Sequence, residues 1–86
     1  YLVEVRLDDK TAGRPIAAVS DLVLLAFDKR RGWQRRAHFV ETAPGRYRAM
    51  LDATPPVGRV ELLVSSASQD LPFSAGRVGA IERSAP

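Results

Sequence analysis

One histidine, His38, and one methionine, Met50, occur among the 86 residues, and there is no cysteine. An imidazole beside a thioether suits copper better than zinc or calcium. Two ligands do not close a coordination sphere, so a copper site would need groups from a second chain. The plainer reading, two ordinary surface residues, is favoured. A second candidate is the basic cluster Lys29, Arg30, Arg31, Arg35 and Arg36 with Trp33 among them. Such a patch can hold nucleic acid through phosphate contacts and base stacking. Against this, Asp28 stands beside it, the net charge is only +3, and a small domain needs Trp33 in its core. Hairpin loops also carry charge simply because they are wet. An acidic protein surface is the better positive reading of these arginines.

Serines are available as hydroxyls, but His38 is the sole imidazole and no G-x-S-x-G turn accompanies it. Asp8 and Asp9, like Asp21 and Asp28, are carboxylates paired only along the sequence. Asp8-Asp9 lacks the spacing of a calcium loop. General acid–base work needs a cleft around its carboxylates, and so short a chain leaves little room for one. No catalytic residue, no cofactor and no enzymatic activity are expected.

The elements that position these residues are strands. "YLVEVRL" alternates, with Tyr1, Val3, Val5 and Leu7 on one face and Glu4 and Arg6 on the other, the period of a half-buried strand. The turn-rich "DDKTAGRP" follows. Residues 16–27 are ambiguous. Ser20 or Asp21 would cap a helix there, but apolar residues fill almost every position from Leu22 to Phe27, and a strand buried on both faces is favoured. "DKRRG" reads as a hairpin loop, "WQRRAHFVE" as a strand with Trp33, Ala37 and Phe39 inward, and Ala43-Pro44-Gly45 as a turn. "RYRAMLD" then has Tyr47, Ala49 and Leu51 inward. "ATPPVG" is a turn because Pro55 and Pro56 cannot donate to a ladder. "RVELLVSSAS" puts Val60, Leu62 and Val64 on one face, and a weaker strand lies within "FSAGRVGAIE". About six short strands with turn signals roughly every ten residues predict a single all-β sandwich or barrel over residues 1–82, with 83–86 as a linker or tail.

The turn at 43–45 predicts a register. With a three-residue loop closed by Gly45, Thr42 faces Arg46, Phe39 opposes Ala49, and Ala37 opposes Leu51. A one-residue slip would move the apolar set to the other face, so the core selects this loop. Arg36 is then expected opposite Asp52 and His38 opposite Met50, and Arg48 faces outward. Arg35 and Glu41 fall on the inner face.

No apolar run approaches a membrane span of about 20 residues, so no membrane insertion is expected. Eleven of the 13 basic residues are arginine, a skew that a GC-rich genome accounts for as well as guanidinium chemistry does. The chain opens directly on strand-like "YLVEVRL", as would a piece of a longer protein or a mature domain without its leader.

The order "YLVEVRL…GRPI…LVLLAF…APGRYRAML…GRVELLV" resembles bacterial immunoglobulin-type domains of the FixH-like and YtkA-like group. The likeness rests on Pro44, Gly45, Tyr47, Ala49 and Leu51, then on Gly58 and Val60 to Val64. Two features depart from that pattern: "AAVSD" replaces the small Gly-Ala pair, and Val60 or Glu61 replaces an aromatic. The resemblance implies an immunoglobulin-like antiparallel β-sandwich of six or seven strands over residues 1–82, outside the cytoplasm, periplasmic or extracellular, appended to a larger exported bacterial protein. It carries over no catalytic or metal residue. The expected function is a non-catalytic accessory or interaction module. Its partners would be other domains of a longer parent chain or a separate protein, met through Lys29, Arg30, Arg31, Arg35, Arg36 and Arg48. The alternatives are a periplasmic copper-handling domain using His38 and Met50, and a polyanion or nucleic-acid binder acting through the 29–36 hairpin.

Overall fold

A computed structural model describes residues 1–52 and 54–83. Nine strands lie among them: β1 (Leu2–Arg6), β2 (Asp8–Asp9), β3 (Arg14–Pro15), β4 (Val23–Asp28), β5 (Trp33–His38), β6 (Val40–Ala43), β7 (Arg46–Met50), β8 (Gly58–Ser65) and β9 (Arg77–Arg83). A single 3-10 turn, Phe73–Ala75, precedes β9. The strands form a three-stranded sheet ordered β1-β7-β6, a four-stranded sheet ordered β5-β4-β8-β9, and the small β2-β3 ribbon. All of these pairings are antiparallel. Of the expected tail, Arg83 ends β9 and 84–86 lie outside the described residues, as does Ala53 of the expected 53–58 turn.

Period-two alternation builds the core. Val3, Tyr47 and Ala49 are buried from the smaller sheet, and Leu24, Ala26, Val60, Leu62 and Val64 from the larger one, in one cluster. Two sheets burying their inner faces against each other is the layering of a β-sandwich. The strand expected in residues 16–27 forms only over Val23–Asp28. Its inner residues Leu24 and Ala26 are fully buried, while Val23, Leu25 and Phe27 are half-buried on the other face.

Residues 16–22 stay irregular because side chains take over their backbone groups. The Tyr47 hydroxyl donates to the Ile16 carbonyl at 2.8 Å and accepts from the Val19 N–H at 3.1 Å. Ala18, at φ 61, donates its N–H to Glu41 Oε2 at 2.9 Å. Val19 and Leu22 are thereby set into the core.

Gly45 closes the β6–β7 hairpin at φ 77, and a Cβ there would collide with the Pro15 side chain. Both facts require glycine. The turn is nevertheless one residue shorter than expected. Val40 faces Arg48 and Glu41 faces Tyr47, in the predicted register, but a shift between Glu41 and Ala43 sets Ala43, not Thr42, opposite Arg46. A bulge absorbs the odd residue, so the loop itself is Pro44-Gly45.

The larger correction concerns "WQRRAHFVE". It is not one strand paired with 46–52. The chain leaves the four-stranded sheet at His38, turns at Phe39, and enters the three-stranded sheet at Val40. Ala37 therefore faces Leu24, Arg36 faces Leu25 and His38 faces Val23; Leu51, expected opposite Ala37, bonds to Tyr1 instead. The corner is held by the Phe39 N–H on the Leu22 carbonyl at 3.0 Å and by the burial of its ring. A strand that switches sheets keeps its alternation through the bend, which is why the pattern alone does not reveal it.

Candidate functional site

The corner at Phe39 brings the end of β5 beside the outer face of β6 and β7. There an open groove of ≈ 570 Å³ is lined by residues from both sheets, among them Arg36, His38, Val40, Arg48, Met50 and Asp52. Backbone pairing does not join His38 to Met50 or Arg36 to Asp52, but the groove collects all four. On its floor, alternation turns apolar side chains to solvent: Val40 is 67% exposed, Met50 61% and Leu2 48%. Leu2 stands opposite Met50 across β1–β7, and Val40 opposite Arg48 across β6–β7. Arg48 pairs with Glu4 at 3.2 Å, both well exposed. The site is thus an apolar strip rimmed by guanidinium groups and one imidazole.

The other arginines do not form a single patch with it. Lys29, Arg30 and Arg31 occupy the β4–β5 loop at one end of the larger sheet. Asp28, buried at the end of β4, accepts from the Arg30 N–H at 3.0 Å and pairs with Arg31 at 3.6 Å. The Arg31 guanidinium also donates to the Val57 carbonyl. A smaller hollow of ≈ 310 Å³ beside them is lined by Arg59 but also by Asp28 and Glu61. Arg59 bonds to Glu61 and Glu82 at 2.8 and 2.9 Å, and Arg77 to Glu61 at 2.9 Å. Bonds from Arg59 first, then Arg77, hold the Glu61 carboxyl below its ordinary value. Farther along β5, Arg35 lies over the Trp33 ring at 5.5 Å and Arg36 over the Phe73 ring at 5.5 Å. Consecutive strand residues face opposite sides, so these two cations diverge. Of the two inward positions expected for polar residues, Arg35 is exposed, and Glu41 turns its carboxylate to the Ala18 and Gly45 N–H groups at 2.9 and 3.4 Å. The Ala18 bond is the main cause that lowers its pKa.

One polar cluster was not legible in advance. Asp21 Oδ1 accepts from the hydroxyls of Ser66 and Ser68 at 2.6 and 2.7 Å, and Oδ2 accepts from the Ser68 N–H at 2.7 Å. These bonds, the Ser66 hydroxyl first, lower the Asp21 pKa to about 2. Ser66 is buried, and its hydroxyl also accepts from the Gln69 N–H at 3.3 Å. The cluster ties the irregular 16–22 segment to the turn after β8. The Ser-x-Ser spacing after an apolar strand was the available signal.

Among the described residues, no group of three or more His, Cys, Asp and Glu side chains gathers as a metal site. No helix there is long and apolar enough to cross a membrane. Compared with known proteins, the chain matches no family model, no curated protein and no solved structure.

Proposed function

We propose that this chain is a non-catalytic interaction module of a larger exported bacterial protein, built as an immunoglobulin-like sandwich, and that its partner docks on the groove between β5 and the outer face of β6–β7. The observation that carries this reading is the strip of Leu2, Val40 and Met50 exposed together beside Arg36 and Arg48. Apolar side chains rimmed by arginine are the composition of a protein-docking patch, where Met and Arg are enriched. The partner surface it fits is apolar with an acidic border.

The immunoglobulin-like topology is supported by the connections. The chain crosses between sheets from β1 to β4, from β5 to β6 and from β7 to β8, and closes hairpins at β4–β5, β6–β7 and β8–β9. Alternating hairpins with crossings of this kind make Greek-key sandwiches. A location outside the cytoplasm rests on the resemblance to exported bacterial domains. The absence of catalysis is supported by where polar groups are spent: Asp21, Asp28, Glu41 and Tyr47 each fix a turn or an irregular segment.

A photo-crosslinking residue placed at Met50 in the parent organism tests the docking surface. The reading predicts a discrete protein adduct from Met50 that Val40→Asp abolishes, and none from Lys10 on the distant β2–β3 turn. Equal labelling from both positions, or turnover of a substrate by the 86-residue chain, would contradict it.

Copper handling is the second reading, favoured by one observation: His38 and Met50 line the same groove with Asp52. Its remaining ligand would come from another chain. Cu(I) titration followed by NMR tests it through the His38 ring and Met50 methyl resonances; if both stay unmoved, the idea fails. Polyanion binding through 29–36 has less support, since Asp28 and Glu61 line the same hollow as those cations. Phosphate binding would weaken steeply with salt.

A further inference from the structure

Four strands end the two sheets: β1 and β6 in the smaller, β5 and β9 in the larger. Proteins blunt such edges with charge, shortness or bulges. β5 presents Arg35, Arg36 and His38; β6 has four residues and a register shift; β9 slips against β8 at Leu62/Leu63 and contains Gly79. β1 has neither a bulge nor a glycine, and its two charges, Glu4 and Arg6, are of opposite sign, so a second copy can match them. Its five residues pair with β7 in unbroken register. We propose that two copies of this chain associate antiparallel through the outer edge of β1, centred on Val5.

The backbone is oriented for it. Tyr1 and Leu51 bond to each other, and the Leu7 N–H bonds to the Gly45 carbonyl at 2.8 Å. Since bonding alternates along an antiparallel ladder, odd-numbered residues of β1 face β7 and Leu2, Glu4 and Arg6 direct their N–H and C=O groups outward. Among the described residues no strand pairs with that side. Beside it runs an open groove of ≈ 430 Å³ lined by Val3, Val5, Leu62 and Val78, the last 46% exposed.

Charge selects both the occupant and the register. With Val5 opposite its own copy, Glu4 lies opposite Arg6 of the second chain, and Arg6 opposite its Glu4. Both pairs use outward backbone groups, so each exchanges two ladder bonds. On the inner side Val5 meets Val5 and Val3 meets Leu7. The two neighbouring registers that also match outward groups set Glu4 against Glu4 or Arg6 against Arg6, destabilising like-charge pairs. The contact is isologous, so it closes as a dimer. It lies at the opposite edge of the three-stranded sheet from β6.

The test is sedimentation equilibrium of the 86-residue chain from ~10 µM to ~1 mM, because one edge contact is smaller than a standard interface. Wild type is expected to dimerise within that range. Glu4→Arg gives the edge two cations and Arg6→Glu gives it two anions. Each alone is expected to weaken the dimer about tenfold or more, since two symmetric attractions become repulsions. An equimolar mixture is expected to recover the dimer to within about threefold of wild type. Circular dichroism checks that each variant folds; should one not, Glu4→Pro removes an outward N–H while sparing the bonds of Val3 and Val5, and is expected to be a folded monomer. A wild-type monomer at ~1 mM overturns the proposal. So does a dimer indifferent to these substitutions, or one that the equimolar mixture does not recover.

Discussion

Tyr47 shows how one side chain can decide local structure. Its hydroxyl serves two backbone groups of an irregular segment from inside the core, where the residue is 1% exposed. Tyr47→Phe keeps the ring but strands the Ile16 carbonyl and the Val19 N–H, and is expected to cost about 1–3 kcal/mol in urea denaturation. Asp21 acts similarly from the surface. Its folded-state pKa of about 2 lies below the ordinary 3.8, so its contribution to stability is full above pH 3.8 and is lost as pH falls through about 2. The stability difference between wild type and Asp21→Asn should therefore shrink over that interval, and a carboxyl NMR titration should show a midpoint near 2; a midpoint at 3.8 would contradict the hydrogen-bonded geometry. Neither role was visible in the sequence. Tyr47 was legible as an inward residue from its alternation with Ala49 and Leu51, but what its hydroxyl meets depends on a segment about 30 residues earlier.

At the scale of elements, the strands whose inner faces are apolar were legible: Val3 in β1, Tyr47 and Ala49 in β7, and Val60, Leu62 and Val64 in β8 are buried as alternation requires. Pairing was less so. Alternation says which face a residue takes but not which sheet it joins, and β5 and β6 read as one strand because the bend at Phe39 preserves the period. Cross-strand NOEs should link Ala37 with Leu24 and His38 with Val23; Ala37 opposite Leu51 would refute the corner. Phe39→Ala should cost about 3–5 kcal/mol by emptying the space between the sheets at that corner. Gly76 is a second point of close approach, where a Cβ would collide with the Val64 carbonyl, while the Gly76 carbonyl accepts the Val64 N–H at 2.8 Å. Gly76→Ala should displace the start of β9 and expose its amides to faster hydrogen exchange.

For the whole molecule, the same corner that defeats a single-strand reading makes the candidate site. Because β5 and β6 lie in different sheets, Arg36 and His38 come from one layer and Val40, Arg48 and Met50 from the other, and a groove forms where the layers meet. The sequence singled out His38, Arg48 and Met50 in this region and its register also turned Val40 outward; Leu2 became visible only with the sheet order. The proposed docking surface is where Leu2, Val40 and Met50 stay exposed together on one outer face. The most direct measurement is the map of amide chemical-shift changes in the labelled 86-residue chain on adding the protein captured by the Met50 crosslinker. The account predicts the largest changes at Leu2, Val40, Arg48 and Met50, suppressed by Val40→Asp. Changes centred instead on Lys29, Arg30 and Arg31 would contradict it.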